Sequence, residues 1–374
     1  MRKIVDTLLP TTMVGSYPRP AWFHYQLEGR DLLDAMKWTE FAQAYEDATT
    51  AVIAEQQDMG LDIVTDGQMH YDDYGGSIGS FVWYWYERLP GFVGKKLPNP
   101  LSAHGAFTEV GDAEFFHDWG GTATTGKVQR APSRLPEMYR IASRHAARPL
   151  KVSVGAGPIN LGYHVDYQYP GSAYARLEDL AEDLVPIFNA ELKELAAAGA
   201  EFIQLEDLGA WYPAMTHSDE TMRWVVDVIN RTVEGVDAKI AWHFCLGNAT
   251  GLYFRSVEDA LEQVLPPLYE THVEQYVLDF AMRDMVDVRA LTNLPRDKEV
   301  AIGVIDVRTN TPETRDEVAD RMRRVLEVVP AEQVYFTTDC GLKPLPRICA
   351  REKLRSLARA AEVVRSEVGA PVAR

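Results

Sequence analysis

The octapeptide AWHFCLGN (241–248) sets His243 and Cys245 at i and i+2, at the end of an apolar run. On a strand such residues face the same side, so the imidazole and the thiol would project together while Phe244 points away. The chain has three cysteines, and a second one, Cys340, ends another apolar run, VYFTTDC (334–340). Two thiols, one imidazole and a carboxylate from a further strand end make a four-ligand set of the kind zinc takes. Asp279 is the first choice for the oxygen, with Asp284 and Glu274 as alternatives. Two thiolates and one carboxylate around a dication leave a net charge of about −1. Such an ion is a poor acid for splitting water. It suits holding a substrate thiol, removing its proton and leaving it nucleophilic. The third cysteine, Cys349, follows Pro346 in the last helical segment and reads as core.

Ligands on separate strands need a scaffold that brings strand ends together. Short β-rich runs recur at 12–16, 62–66, 151–156, 202–206, 239–245, 276–280, 300–306 and 334–340. They are apolar without strict alternation, as parallel strands buried on both faces are. Helical segments are expected at 41–60, 177–200, 218–233, 256–265, 311–329 and 345–369. Ser218 is a cap for the third of these, and Pro312 fits the first position of the fifth behind a Thr cap. Eight strand–helix units predict an α/β fold, a (β/α)8 TIM barrel, with a doubly wound sheet as the alternative. Residues 69–150 are too long for a simple crossover. They predict an insertion between the second and third strands: a helix plus a hairpin or lid over the barrel mouth, in one decorated domain spanning 1–374. The run FVWYWYE (81–87), behind YGGSIGS, reads either as packing or as an alternating hydrophobic lid.

In a barrel the chemistry sits at the C-terminal ends of the strands. Those ends carry Ser16, Asp66, Gln68, Glu206, Asp207, His243, Cys245, Asp279, Asp306, Arg308, Asp339 and Cys340. His70, just past the second strand, is the best proton donor, with a surface histidine as the plain alternative. The Gly-rich VGAGP (154–158) has the spacing of neither a dinucleotide fingerprint nor a P-loop.

WHFC, LDFAMRDM and TTDCGL resemble the zinc motifs of cobalamin-independent methionine synthase, specifically its C-terminal catalytic barrel. TTMVGSYPRP, FIQLEDLGA and GAGPINL resemble its opening loop and two further strands, so the resemblance runs along nearly the whole chain in order. It implies zinc held by His243, Cys245, Asp279 and Cys340, a small thiol acceptor, a small methyl or alkyl donor, and alkylation of sulfur. Strand-end position and the resemblance together make Ser16, Gln68, Glu206, Asp207 and Arg308 the expected substrate-binding residues, and His70, Asp306 and Arg308 the expected catalytic ones.

Several positions depart from the family pattern. The family's zinc carboxylate is Glu where this chain has Asp279. The Glu that grips the amino group of homocysteine is Gln68 here, and an amide holds an ammonium less well than a carboxylate does. The fourth-strand acidic pair appears in swapped order as Glu206-Asp207. Where the synthase has a proton-donating His this chain has Arg308, which cannot act as an acid near neutral pH but can hold an anion. Epoxyalkane:coenzyme M transferase, in the same superfamily, uses a sulfonate thiol without an ammonium. It is the alternative reading.

The formal net charge of −17 argues against nucleic-acid and anionic-membrane partners. No run of 18 apolar residues is present and the N-terminus lacks a signal pattern, so the expected compartment is the cytoplasm. Association into a homo-oligomer stays open. A zinc hydrolase and a metal-free lyase or decarboxylase are the rivals from other classes. Two thiolates disfavour the first, and metal content separates the second.

Overall fold

Seven of the eight expected strands form one parallel sheet whose neighbours follow chain order: β1 (Val64–Thr65), β2 (Leu150–Val154), β3 (Phe202–Leu205), β4 (Lys239–Phe244), β5 (Gln275–Asp279), β6 (Glu299–Ile305) and β7 (Val334–Thr338). The computed structural model describes residues 2–23, 39–71, 80–94, 97, 121–207, 218–245 and 261–369. Every strand residue is buried, which accounts for the missing polar alternation.

The two faces of the sheet differ. Val152, Val154, Ile203, Leu205, Trp242, Leu278, Ile302 and Phe336 belong to the large core shared with the helices. Phe202, Ala241, Val277, Ala301 and Tyr335 form a separate inner cluster with Val14 and Ile63, and Ile4 and Val5 pack against it. Because strand side chains alternate, that inner face emerges two or four residues later as Glu206, His243, Asp279 and Asp339. The strand period thus delivers the polar residues to one end of the sheet.

The eighth expected strand, 12–16, is not a strand. Its neighbourhood instead ties the two edges of the sheet together. Thr12 N donates to Phe336 O (3.0 Å) and Phe336 N to Pro10 O (2.9 Å), while Asp62 N and Ile63 N donate to Thr11 O (3.1 and 3.0 Å). Beyond Thr12 the ladder is replaced by side chains: Val14 N donates to Thr338 Oγ1 (3.2 Å), and Thr65 Oγ1 to Gly15 O (3.0 Å).

Nine α-helices among the described residues cover the sheet: α1 (Thr39–Met59), α2 (Ser80–Arg88), α3 (Leu135–Ser143), α4 (Pro158–Tyr163), α5 (Leu177–Ala197), α6 (Asp219–Val233), α7 (Leu261–Leu268), α8 (Arg315–Leu326) and α9 (Arg347–Val368). Ser218 caps α6 by accepting from Thr221 N (3.0 Å). The helix expected from Pro312 begins later. Thr314 is the cap, and it forms a capping box with Glu317 that outcompetes a proline start. The helix expected at 256–265 is seen from Leu261 to Leu268, and its first residues lie outside the described ones.

Within 69–150, the aromatic run is helix α2 and not an alternating lid. Trp83, Tyr84, Trp85 and Tyr86 are all buried, as in a helix packed on every side. Trp85 lies on Phe188 (centroids 4.5 Å apart) and Tyr86 OH donates to Leu161 O (2.6 Å). Antiparallel bridges join Phe92 to Thr124 and Leu97 to Gly121. The glycine-rich lead-in and the residues between the latter pair lie outside the described ones. Among the described residues no helix is long and apolar enough to cross a membrane.

Candidate metal centre

His243 is the fifth residue of β4 and fully buried, and Cys245 follows the strand end. Cys340 lies just past β7 and is partly buried. A nitrogen of His243 and the two sulfurs all lie within 4.8 Å of one another. The sulfurs are 4.0 Å apart, and His243 Nε2 is 3.2 Å from Asp279 Oδ1. A tetrahedral ion with bonds of about 2.0–2.1 Å to N and O and about 2.3 Å to S has N···O edges near 3.3 Å and S···S edges near 3.8 Å. Both observed spacings are close to those edges, and the donors are two soft sulfurs and a borderline nitrogen. The residues present therefore fit a zinc-like ion.

Asp279 touches His243 but stands outside the three-residue cluster. The alternatives for the oxygen ligand fall away. Asp284 is 89% exposed and pairs with Arg324. Glu274 precedes β5, at the end opposite Asp279, and binds the backbone of Arg2. Cys349 lies in the first turn of α9, apart from the cluster.

The environment is strongly acidic. Burial would lower the His243 imidazole, but Asp279 and Glu206 on its two nitrogens hold it well above the usual histidine range. The bond to Cys340, and burial, push the Cys245 thiol well up. Both groups thus keep their protons at neutral pH, and a metal must displace them. Apparent metal affinity is expected to rise with pH throughout the range below those raised values, by about one decade per pH unit for each proton displaced. Chelator competition at several pH values measures this, and a flat profile would show that these groups are not ligands.

Glu206 lies just past β3 in a dense polar cradle. Its Oε1 accepts from Ser153 Oγ, Gln68 Nε2 (3.1 Å) and Gln204 Nε2 (3.1 Å), and its Oε2 is 3.2 Å from His243 Nδ1. Gln68 also donates to Ser153 Oγ (2.7 Å), and Lys151 Nζ donates to Gln204 Oε1 (2.6 Å). Burial raises the Glu206 carboxyl, yet His243, Ser153 and Lys151 outweigh it and leave it below the usual range. A Cβ on Gly15 would stand 2.7 Å from Gln68 Nε2 and 3.3 Å from Glu206 Oε1, so only glycine lets this loop approach so closely.

Two further strand-end carboxylates hold backbone. Asp207 accepts from Ile159 N (3.1 Å) and Asn160 N (2.6 Å) at the start of α4, so both oxygens expected to meet substrate pin a helix. Burial pushes this carboxyl up to about 7. Asp339 likewise accepts from Ala281 N (2.9 Å) and Met282 N (2.6 Å), fixing the chain beyond Asp279. Burial and the charge of Asp279 push it well above the usual range.

Arg308 does not present a bare positive charge. Its Nε and Nη2 donate to Asp306 Oδ1 (3.0 Å) and Oδ2 (2.8 Å), and Nη2 also donates to Met282 O (2.6 Å). Despite burial, these bonds hold the Asp306 carboxyl below its usual range. Two residues expected to be catalytic, one of them also the expected anion binder, therefore neutralise one another. Ser16 lies against the Cys340 loop: its carbonyl accepts from Leu342 N (2.8 Å), and a Cβ on Gly341 would meet its Oγ at 1.9 Å.

His70 is buried, not a surface histidine. Its Nδ1 is 3.1 Å from Asp66 Oδ2, and its ring lies on Tyr71 (centroids 4.1 Å apart) and beside Tyr84 (6.1 Å). Reading strand ends alone missed Lys151, Ser153 and Gln204, which sit inside strands. Their polarity at positions surrounded by apolar residues was the available signal.

A parallel α/β sheet with thiol and imidazole donors converging at its strand ends defines a class, that of soft-metal sites built on strand termini. Residues 9–85 and 170–363 match the model of the family described as the catalytic domain of cobalamin-independent synthase, and the chain belongs to that family. It is 30% identical to a methionine synthase of Sulfolobus acidocaldarius over 363 residues, 97% of this chain and 94% of that protein. It is also 30% identical to a 2-hydroxypropyl-CoM lyase of Xanthobacter autotrophicus over 403 aligned residues, 97% and 96% of the two chains. Among solved structures, a B12-independent methionine synthase from Shewanella sp. W3-18-1 in complex with selenomethionine superposes with a TM-score of 0.74 at 26% identity. That match covers 97% of this chain and 99% of that one.

Proposed function

We propose that the protein is a zinc-dependent transferase that takes up a small thiol as its thiolate and alkylates the sulfur, with methyl transfer in the manner of cobalamin-independent methionine synthase as the reaction. The observation that carries this reading is the convergence of His243, Cys245 and Cys340 in a member of that family. His243, Cys245 and Cys340 would hold the ion, with Asp279 as the oxygen ligand beside Nε2 of His243. When bound, the ion supplies a lowered thiol pKa and a fixed position for the sulfur.

The remaining work falls to the chain. The group that leaves the alkyl donor, a pterin nitrogen or an epoxide oxygen, needs a proton. His70, which lies beside Asp66, is proposed as its source. Ser16, Gln68 and Glu206 line the approach to the ion and position the thiol. We read the sheet, closed through residues 10–12, as a (β/α)8 barrel forming one domain, with 69–150 as an insertion near its mouth. The family match leaves out 86–169, which overlaps that stretch. We infer a cytoplasmic location, with small molecules as partners.

A second reading, epoxide opening by an anionic thiol such as coenzyme M, draws support from Gln68 and from the lyase relative. One assay tests both. Zinc-loaded protein is offered a panel of thiols against methyl-folate, methyl-cobalamin and small epoxides, and products are read by mass. Alkylated sulfur is expected. Consumption of no donor with any thiol would overturn the transferase reading.

A further inference from the structure

We propose that Glu206 is a positioning residue that fixes His243 in the tautomer carrying its proton on Nδ1, leaving Nε2 as the metal-binding atom, and that Gln204 and Lys151 hold Glu206 for this task. The proposal rests on the zinc reading above.

Glu206 is 5% exposed and its two oxygens have different surroundings. Three donors converge on Oε1, those of Ser153, Gln68 and Gln204, whereas Oε2 faces Nδ1 of His243. An oxygen with three donors cannot turn toward the ring without breaking all three, so the carboxylate has one orientation. A carboxylate only accepts, which requires the atom opposite Oε2 to be a protonated Nδ1. Asp279 sets an acceptor against Nε2 in the same way, so both nitrogens carry protons until an ion displaces the one on Nε2; the neutral imidazole left then keeps its proton on Nδ1 and turns its lone pair on Nε2 to the ion.

The cradle is itself held from the floor of the sheet. Gln204 accepts from Lys151 Nζ on Oε1 (2.6 Å) and donates from Nε2 to Val14 O (2.9 Å). Rotating this amide by half a turn would break the bond that Lys151 Nζ donates and set the amide oxygen against both a carbonyl and Glu206. Lys151, on β2 and fully buried, therefore decides which end of Gln204 meets Glu206. The chain of contacts runs Lys151, Gln204, Glu206, His243, across three adjacent strands.

The substitution Glu206→Gln separates positioning from packing, because it keeps the shape. The three donors require the glutamine oxygen at Oε1, which turns its NH2 toward Nδ1. Two donors would then face each other unless the imidazole moves its proton to Nε2, and Nε2 could no longer bind metal. Glu206→Asp retains an acceptor on both sides and should recover much of the loss.

The test uses the full chain and zinc alone. Competition with a chromophoric chelator should show affinity falling about 10- to 100-fold in Glu206→Gln and less in Glu206→Asp. Lys151→Met, which frees the Gln204 amide, should fall in the same direction by a smaller factor and serves where Glu206→Gln folds poorly. Nitrogen-15 spectra of histidine-labelled zinc protein should show His243 protonated at Nδ1 in the wild type and that signature lost in Glu206→Gln. If wild type binds zinc, and Glu206→Gln and Lys151→Met bind it equally well with the tautomer unchanged, the positioning role is overturned while the zinc reading stands. Wild type that takes up no zinc overturns both.

Discussion

Cys340→Ala is expected to strip the protein of its metal and of its transferase activity together, with the fold intact. Cys340 is one of only two sulfurs in the cluster, and its sulfur contact is with Cys245. A four-ligand zinc site is worth roughly 10–16 kcal/mol at neutral pH, so one ligand corresponds to about 2.5–4 kcal/mol, or about 10²- to 10³-fold in affinity. The local chain has other anchors. Asp339 holds two backbone amides, Thr338 Oγ1 donates to Cys340 O (2.7 Å), and Leu342 N is fixed by Ser16. None of these involves the thiol. Circular dichroism should stay near wild type, and the denaturation midpoint near that of metal-free wild type, while zinc per chain drops. A Cys340→Ala protein with full zinc and full activity would contradict the ligand set.

Gln68→Glu is expected to shift preference toward thiols that carry an ammonium. A carboxylate at position 68 would stand in the place of a donor now 3.1 Å from Glu206 Oε1. Two buried carboxylates at that distance repel, and one must take up a proton unless a cation lies between them. An aminothiol brings that cation. A charge-assisted hydrogen bond of about 1.5–3 kcal/mol corresponds to about 10- to 150-fold in affinity. Wild type is accordingly expected to use homocysteine weakly relative to a thiol lacking an amine, and Gln68→Glu to narrow or reverse the ratio. Without ligand the same variant should lose stability. Arg308→Ala should not discriminate between anionic and neutral thiols, because Asp306 already neutralises this guanidinium. If wild type strongly prefers homocysteine and Gln68→Glu leaves the ratio unchanged, Gln68 does not set the acceptor.

The parts of this molecule legible in its sequence are those governed by period and residue type. Seven strands were readable because buried parallel strands are mostly apolar without strict alternation, and His243 with Cys340 because imidazole and thiols at strand ends have few other uses. The Pro10–Ser16 segment was harder. It is apolar enough for a strand, but at Val14 and Gly15 its bonds go to the side chains of Thr338 and Thr65, a choice visible only in three dimensions. The aromatic run of α2 satisfied alternation and helix alike, since Val82 to Tyr86 are all buried. Arg308 reads in sequence as a free charge, and its partner, Asp306 two residues earlier, becomes decisive only once the loop folds back. The Lys151–Gln204–Glu206 line crosses three strands, so no local spacing reveals it.

In the proposed chemistry a thiol is activated on an ion held by His243, Cys245 and Cys340. X-ray absorption at the zinc edge tests it most directly, with the acceptor thiol added to saturation. The account predicts two sulfur ligands before addition and three after, with one oxygen or nitrogen ligand lost or lengthened as Asp279 yields its place. A sulfur count unchanged under saturating thiol would contradict it and make the zinc structural.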